Sequence, residues 1–123
     1  MESTRTYEFE GIVWRAGTDI DGTVYSLDQL GSMASMFLDD CLHRSLLLNF
    51  DIAMPPVGIV DDLHVDRSAG VLIAKARIFE ELLPKEKLLE MELRPAITIS
   101  PLMKVMQIAS ISVTPAPYPL PKP

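Results

Sequence analysis

Alternation of apolar and polar residues at the start of the chain predicts a β-strand with one buried face. Over residues 6–14, β-forming side chains such as Tyr7 and Phe9 are separated by polar or small residues. Glycine and aspartate then dominate residues 16–22, and β-forming character returns at residues 23–25. We therefore predict a hairpin in which residues 16–22 connect the first strand to residues 23–25.

The most regular apolar pattern predicts an amphipathic helix over residues 27–43. Ser26 and Gln29 form a capping box: the serine hydroxyl accepts from the glutamine amide, and the glutamine side chain reaches back to the serine amide. Apolar residues then recur every three or four positions, as one helix face requires. This face comprises Leu27, Leu30, Ala34, Phe37, Leu38, Cys41 and Leu42. We expect it to cover a sheet.

The middle of the chain predicts a buried strand and a second hairpin. Residues 45–50 contain a continuous apolar run, which is typical of a central strand buried on both sides. Residues 57–66 and 71–79 flank a short connection in which Gly70 can take a positive φ. The predicted core face of the last strand comprises Leu72, Ala74, Ala76 and Ile78.

The last part of the pattern predicts one more helix and two closing strands. Residues 80–93 are rich in leucine at helical spacing, and residues 96–100 and 104–114 have β character. Strands at short spacing with only two helices predict an α+β fold. We expect a small, mainly antiparallel β-sheet or barrel that carries both helices.

Composition limits the classes of partner. Eleven Lys and Arg against seventeen Asp and Glu give a net charge of 11 − 17 = −6, which argues against nucleic acid. Cys41 is the only cysteine, so the chain has no internal disulfide and no multi-cysteine zinc site. No apolar run approaches the roughly 20 residues of a membrane span, so we expect a soluble protein. No phosphate-binding loop occurs, and we predict neither a cofactor nor a metal.

Prolines at every second position mark the end of the chain. We predict a single domain over residues 1–114 and a proline-rich C-terminal arm over residues 115–123. The alternate prolines remove every amide donor from one edge of an extended arm, so it can pair on one side only. The predicted partner-binding residues are Pro115, Pro117, Tyr118, Pro119, Leu120 and Pro121. We expect the arm to lie along a neighbouring subunit's sheet, and its deletion to leave the melting temperature nearly unchanged; the alternative is a solvated chain end.

Several local phrases resemble one known family. They are YEFEG at 7–11, LLLNFD at 46–51, PVGIV at 56–60, an Asp, a turn Gly and an apolar strand over 66–73, and ISVTPAP at 111–117. Together with the order of elements, they resemble the tailed-phage prohead maturation proteases, whose barrel is related to the herpesvirus assembly proteases. The resemblance implies a serine protease scaffold with a His and a Ser as its working pair.

The chain departs from the family at the positions that would carry catalysis. Phe50, before Asp51, stands where the family has its His, and a phenyl ring cannot take a proton from a serine. Ser100 is the nearest candidate for the Ser, but Pro101 follows it and the family's Gly does not. The family's acidic residue near the last strand is also missing, in the neighbourhood of residues 108–110. The resemblance therefore implies a non-catalytic relative.

Three functions remain open. The first is a phage head structural protein, namely a decoration, cement or minor capsid subunit. It would bind capsid or another head protein, with self-association as a further expectation, in the virion or the host cytoplasm. The second is an active, divergent prohead protease that uses His64 and Asp66 with Ser100 or Ser112. The third is a phage-encoded inhibitor or adaptor that binds a host protein.

His64 is the imidazole with the most suggestive neighbours. Asp62, His64 and Asp66 share one face of a predicted strand, where two carboxylates could raise the pKa of the imidazole or share a metal with it. The alternative is a solvated strand face. His43 is predicted to end the first helix beside Arg44, where a cation is favourable.

Overall fold

The structure of the chain is a computed structural model that describes residues 5–39, 44–100, 102, 104–115 and 117–123. Its described part contains eight strands and two helices. In chain order these are β1 (Thr6–Arg15), β2 (Gly17–Thr18), β3 (Val24–Tyr25), α1 (Leu27–Asp39), β4 (Ser45–Leu48), β5 (Gly58–Asp66), β6 (Val71–Phe79), α2 (Lys85–Leu88), β7 (Glu92–Ile99) and β8 (Met106–Thr114).

Six strands form one curled sheet, in the order β1-β6-β5-β4-β8-β7, and β2 pairs with β3 in a separate hairpin. The predicted hairpin of the first strand with residues 23–25 is therefore wrong, because β1 pairs with β6 and residues 24 and 25 pair with β2. Neighbouring strands are antiparallel except for β4 and β8, which are parallel. The curl brings the two edge strands together: a Cβ on Gly11 of β1 would lie 3.4 Å from Cδ1 of Leu93 on β7. The fold is therefore a half-barrel of α+β type with two helices, as the sequence predicted.

Helix α1 packs across β5 and β8 and closes the core. Its capping box forms as predicted. The backbone amide of Gln29 donates to Ser26 Oγ at 3.1 Å, and the backbone amide of Ser26 donates to Gln29 Oε1 at 2.8 Å. The buried residues of the helix are Leu30, Met33, Ala34 and Phe37. The predicted continuation through Cys41 to His43 lies outside the described residues.

The hairpin of β5 and β6 confirms the second predicted pairing. Its connection contains Gly70 at φ +69°, and the predicted core face of β6 is fully buried. Strand β5 begins at Gly58, where the backbone of β6 passes so close that a Cβ would lie 2.3 Å from the carbonyl oxygen of Arg77. Only glycine fits this position without a backbone shift.

Two predicted boundaries are wrong. The helix expected over residues 80–93 is confined to α2, and Leu93 belongs instead to β7, which begins four residues before the predicted strand. The strand expected over residues 45–50 ends at Leu48, because Asn49 and Phe50 take positive φ values of 52° and 60°. That turn positions the Phe50 side chain.

Candidate functional site: an aromatic slot and the C-terminal segment

The turn after β4 is held in its left-handed conformation by side chains of β8. The backbone amide of Asn49 donates to the carbonyl oxygen of Val113 at 2.8 Å, and the backbone amide of Phe50 donates to Ser112 Oγ at 3.0 Å. Thr114 Oγ1 donates to Asn49 Oδ1 at 2.9 Å. A positive φ is costly for a residue such as phenylalanine, and these hydrogen bonds offset that cost. They fix the Phe50 ring at the surface of the sheet.

Trp14 reaches the same place through an irregularity in β1. The pairing of β1 with β6 shifts register between Ile12 and Trp14. A strand normally turns successive side chains to opposite faces, but a bulge changes this alternation. Val13 and Trp14 are therefore both buried. The Trp14 ring meets Tyr25 edge-on, with 5.6 Å between ring centroids.

The C-terminal segment, residues 117–123, packs against both rings through Tyr118. Its ring stacks on Phe50, with centroids 6.2 Å apart and planes 22° apart, and meets Trp14 edge-on at 5.6 Å. The Tyr118 hydroxyl donates to the carbonyl oxygen of Pro95. We call the surface formed by Trp14, Phe50, Arg94 and Pro95 the aromatic slot. Tyr118 occupies it.

Arg94 is the charged member of the aromatic slot, and its side chain is only 4% exposed. Its Nε donates to the carbonyl oxygen of Tyr118 at 2.7 Å, and its Nη1 donates to the carbonyl oxygen of Leu93 at 2.7 Å. Nη2 lies 3.5 Å from a carboxylate oxygen of Glu92. A buried guanidinium is costly unless its donors are paired. Arg94 therefore ties β7 to the C-terminal segment.

The far end of the segment joins the β2 hairpin strand. The Thr18 amide donates to the carbonyl oxygen of Lys122 at 2.8 Å, and the Lys122 amide donates to that of Thr18 at 2.9 Å. The contact is so close that a Cβ on Gly17, at φ +144°, would lie 2.1 Å from the Lys122 carbonyl oxygen. The segment is thus attached at Tyr118 and Lys122, and Leu120 between them packs against the core.

The predicted arm residues lie against the chain's own body. Pro115 and Pro119 are exposed, Pro117 and Leu120 are partly buried, and Pro121 is buried; Ala116 lies outside the described residues. The expectation that deleting the arm leaves the melting temperature nearly unchanged is therefore replaced by an expected loss of stability, because the segment covers part of the aromatic slot. A role for these residues in binding a partner stays a prediction.

The candidate catalytic residues are not brought together. His64 and Asp62 are both about half exposed, and His64 Nδ1 lies 2.8 Å from Asp62 Oδ2. Asp66 caps the hairpin connection: hydrogen bonds from the hydroxyl of Ser68 and from backbone amides lower the pKa of its carboxyl. Ser100 follows β7, which β8 and β4 separate from β5, the strand that carries His64.

Ser112 is the other serine considered with His64, and it lies on β8, two strand positions from β5. It is fully buried and its hydroxyl accepts from the Phe50 amide, so it forms part of the turn that holds the aromatic slot. Within the described ranges no group of three or more His, Cys, Asp or Glu side chains is placed to hold a metal ion. Nor does any helix in that part of the chain have the length and apolar character of a membrane span.

A second feature is an apolar surface at the connection between β7 and β8. Ile99, Leu102 and Val105 are 66%, 95% and 42% exposed. Beside them a groove of about 560 Å³ runs between this connection and α1. Its described lining is Asp28, Gln29, Ser32, Met33, Met36, Lys104, Val105 and Met106. Exposed apolar side chains that cluster around a methionine-lined groove are typical of protein-binding surfaces.

Raising the pH should release the segment from the aromatic slot. Burial raises the pKa of Tyr118, against a smaller opposing effect of Arg94. Since the docked pKa exceeds that of a free tyrosine, about 10, docking is fully stabilised below pH 10 and weakens as the pH rises through the docked pKa. Fluorescence of Trp14, the only tryptophan, reports the change. Tyr118→Phe should shift this transition to higher pH; an unchanged transition would contradict the assignment.

Comparisons of the chain with protein-family models, with curated proteins and with solved structures found no match.

Proposed function

We propose that this chain is a non-catalytic structural subunit of a phage head that acts by binding capsid or another head protein. The observation that carries the proposal is the arrangement around Phe50. The resemblance to prohead proteases puts a general base at this position, and Phe50 instead stacks against Tyr118 of the chain's own C-terminal segment. A proton acceptor is replaced by a packed ring, and the chain's own residues cover it.

The chemistry around this position also favours binding over hydrolysis. A serine nucleophile requires a base within hydrogen-bond reach, at about 2.6–3.2 Å. His64 lies on β5, where its Nδ1 is 2.8 Å from Asp62, and β4 separates that strand from β8, which carries Ser112. The buried Ser112 hydroxyl accepts from the backbone amide of Phe50. This contact supports a structural role for Ser112.

The exposed apolar connection between β7 and β8 supplies a surface for the proposed partner. Leu102 is 95% exposed, so its substitution should not disturb the core. We expect Leu102→Asp to weaken binding to capsid protein in a co-sedimentation assay with assembled heads. Leu89→Asp is the matched control. It introduces the same leucine-to-aspartate change at another exposed site, because Leu89 is 86% exposed at the end of α2. Equal binding by both variants would place the capsid contact on another surface.

Protease activity is tested by incubating the chain with the scaffold and capsid proteins of the phage that encodes it. We expect both proteins to stay uncut, and purified virions to contain this chain at a fixed ratio to capsid protein. Cleavage that disappears in Ser100→Ala or His64→Ala would reject the proposal in favour of an active protease. Absence from virions, together with capture of one host protein, would instead favour the inhibitor or adaptor hypothesis.

A further inference from the structure

The C-terminal segment contacts the body at Tyr118, at Leu120 and Pro121, and at Lys122, and a cavity lies beside it. Tyr118 fills the aromatic slot, and Lys122 pairs with Thr18. Between these points a cavity of about 390 Å³ separates the segment from the β2–β3 connection. The residues around it are Thr18, Asp19, Ile20, Pro119, Leu120 and Lys122. The segment is therefore held by Tyr118, by Leu120 packed at the edge of the core and by the backbone of Lys122, all of them contacts made by the last seven residues.

Every group that receives the segment belongs to the body. The Tyr118 ring is received by Trp14 and Phe50, its carbonyl oxygen by Arg94 Nε and its hydroxyl by the carbonyl oxygen of Pro95. Each copy of the chain thus carries one complete receiving surface and one complete ligand for it. A segment from a second copy would make the same contacts at the same distances.

The connection to the segment favours an extended path. Pro115 and Pro117 flank a single residue, and each proline ring fixes φ near −65°. The residue before each proline is also biased towards extended conformations. Such a connection restricts the number of ways in which the chain can turn back to its own body. It also reduces the entropy lost when the segment is held by another body.

We infer that the aromatic slot also binds the C-terminal segment of a second copy, so that two chains exchange their residues 117–123. Reciprocal exchange satisfies both slots and closes with two-fold symmetry, which is the commonest form of oligomer. A short tether gives the chain's own segment an effective concentration on the order of 1 mM. Self-docking therefore dominates in dilute solution, and exchange becomes comparable where copies are crowded to millimolar concentration.

Cysteine trapping across the Thr18 and Lys122 pair tests the inference. These residues exchange two backbone hydrogen bonds, an arrangement with Cα atoms about 5.5 Å apart, which a disulfide can span. In a Cys41→Ser background, Thr18→Cys is made in one preparation and Lys122→Cys in another. The two are mixed, incubated, oxidised and separated without reductant. Thr18→Cys mixed with Lys87→Cys is the matched control, because Lys87 is exposed on α2.

We expect the disulfide-linked heterodimer to rise from about 0.5% of chains at about 0.01 mM total protein to about a quarter at about 1 mM, because free and tethered segments compete for the slot and only half of the free segments carry the matching cysteine. The control mixture should not show this rise. Equal yields in the two mixtures at about 1 mM would overturn the exchange. A double Thr18→Cys, Lys122→Cys chain should close an internal disulfide in dilute solution, and its failure to do so would overturn the docked geometry itself. Neither result depends on capsid protein or on protease activity.

Discussion

Replacing Phe37 by alanine should lower the free energy of unfolding by about 3–5 kcal/mol, the usual cost of truncating a buried aromatic ring. Phe37 is 2% exposed on the inner face of α1, where the helix crosses β5 and β8. The loss combines the transfer free energy of the ring with the cost of the cavity that incomplete relaxation leaves. Urea unfolding followed by circular dichroism measures the loss as a lower midpoint at an unchanged slope.

Ser26→Ala is the matched control on the same helix. It removes the hydroxyl that accepts from the Gln29 amide but leaves the core intact, so we expect a loss of only about 1 kcal/mol. A Phe37→Ala chain that unfolds at the midpoint of the parent would show that α1 does not cover the sheet. Equal losses in the two variants would show that the helix contributes through its cap alone.

The elements that the sequence predicts well are those whose evidence is local. Helix α1 is set by its capping box and by a repeat of three and four residues, and both are properties of neighbours in the chain. The hairpin of β5 and β6 is set by alternation and by Gly70, which takes the positive φ that its connection needs. No contact from a distant part of the chain is required to anticipate either of them.

The wrong helix over residues 80–93 shows where local evidence is insufficient. Its leucines are spaced for one helical face, yet they belong to different environments. Leu83 and Leu88 are buried beside α2, Leu82 and Leu89 are 50% and 86% exposed, and Leu93 is buried in β7. A short apolar repeat is compatible with both helix and strand, and the pairing of β7 with β8 decides between them.

The aromatic slot depends almost entirely on distant contacts. Charged residues in a strand are normally expected at the surface, but Arg94 is buried, and its Nε donates a hydrogen bond to the carbonyl oxygen of Tyr118, 24 positions away. Trp14 turns inward at a β-bulge, and no residue in this part of β1 predicts that bulge from the sequence. The prolines did signal that the last residues pair on one side only, and the single pairing with Thr18 agrees with this. The strand that they pair with was not evident from the sequence.

Deleting residues 117–123 should destabilise the body by roughly 2–4 kcal/mol. The deletion removes two aromatic contacts of about 0.5–1.5 kcal/mol each and at least four hydrogen bonds of about 0.5–1.5 kcal/mol each. The entropy released by the freed segment offsets part of this loss. It also leaves Arg94 without its acceptor on the segment and exposes one face of Trp14. Urea unfolding, followed by the red shift of Trp14 fluorescence, measures the effect.

Two substitutions separate the contacts of the segment. Tyr118→Ala should reproduce much of the loss, because it empties the aromatic slot while leaving the backbone pairing of Lys122 with Thr18 in place. Lys122→Ala should change stability by no more than about 0.5 kcal/mol, because only the backbone of this exposed residue makes the described hydrogen bonds. If the deleted chain and the parent unfold at the same urea concentration, the segment does not dock on its own body.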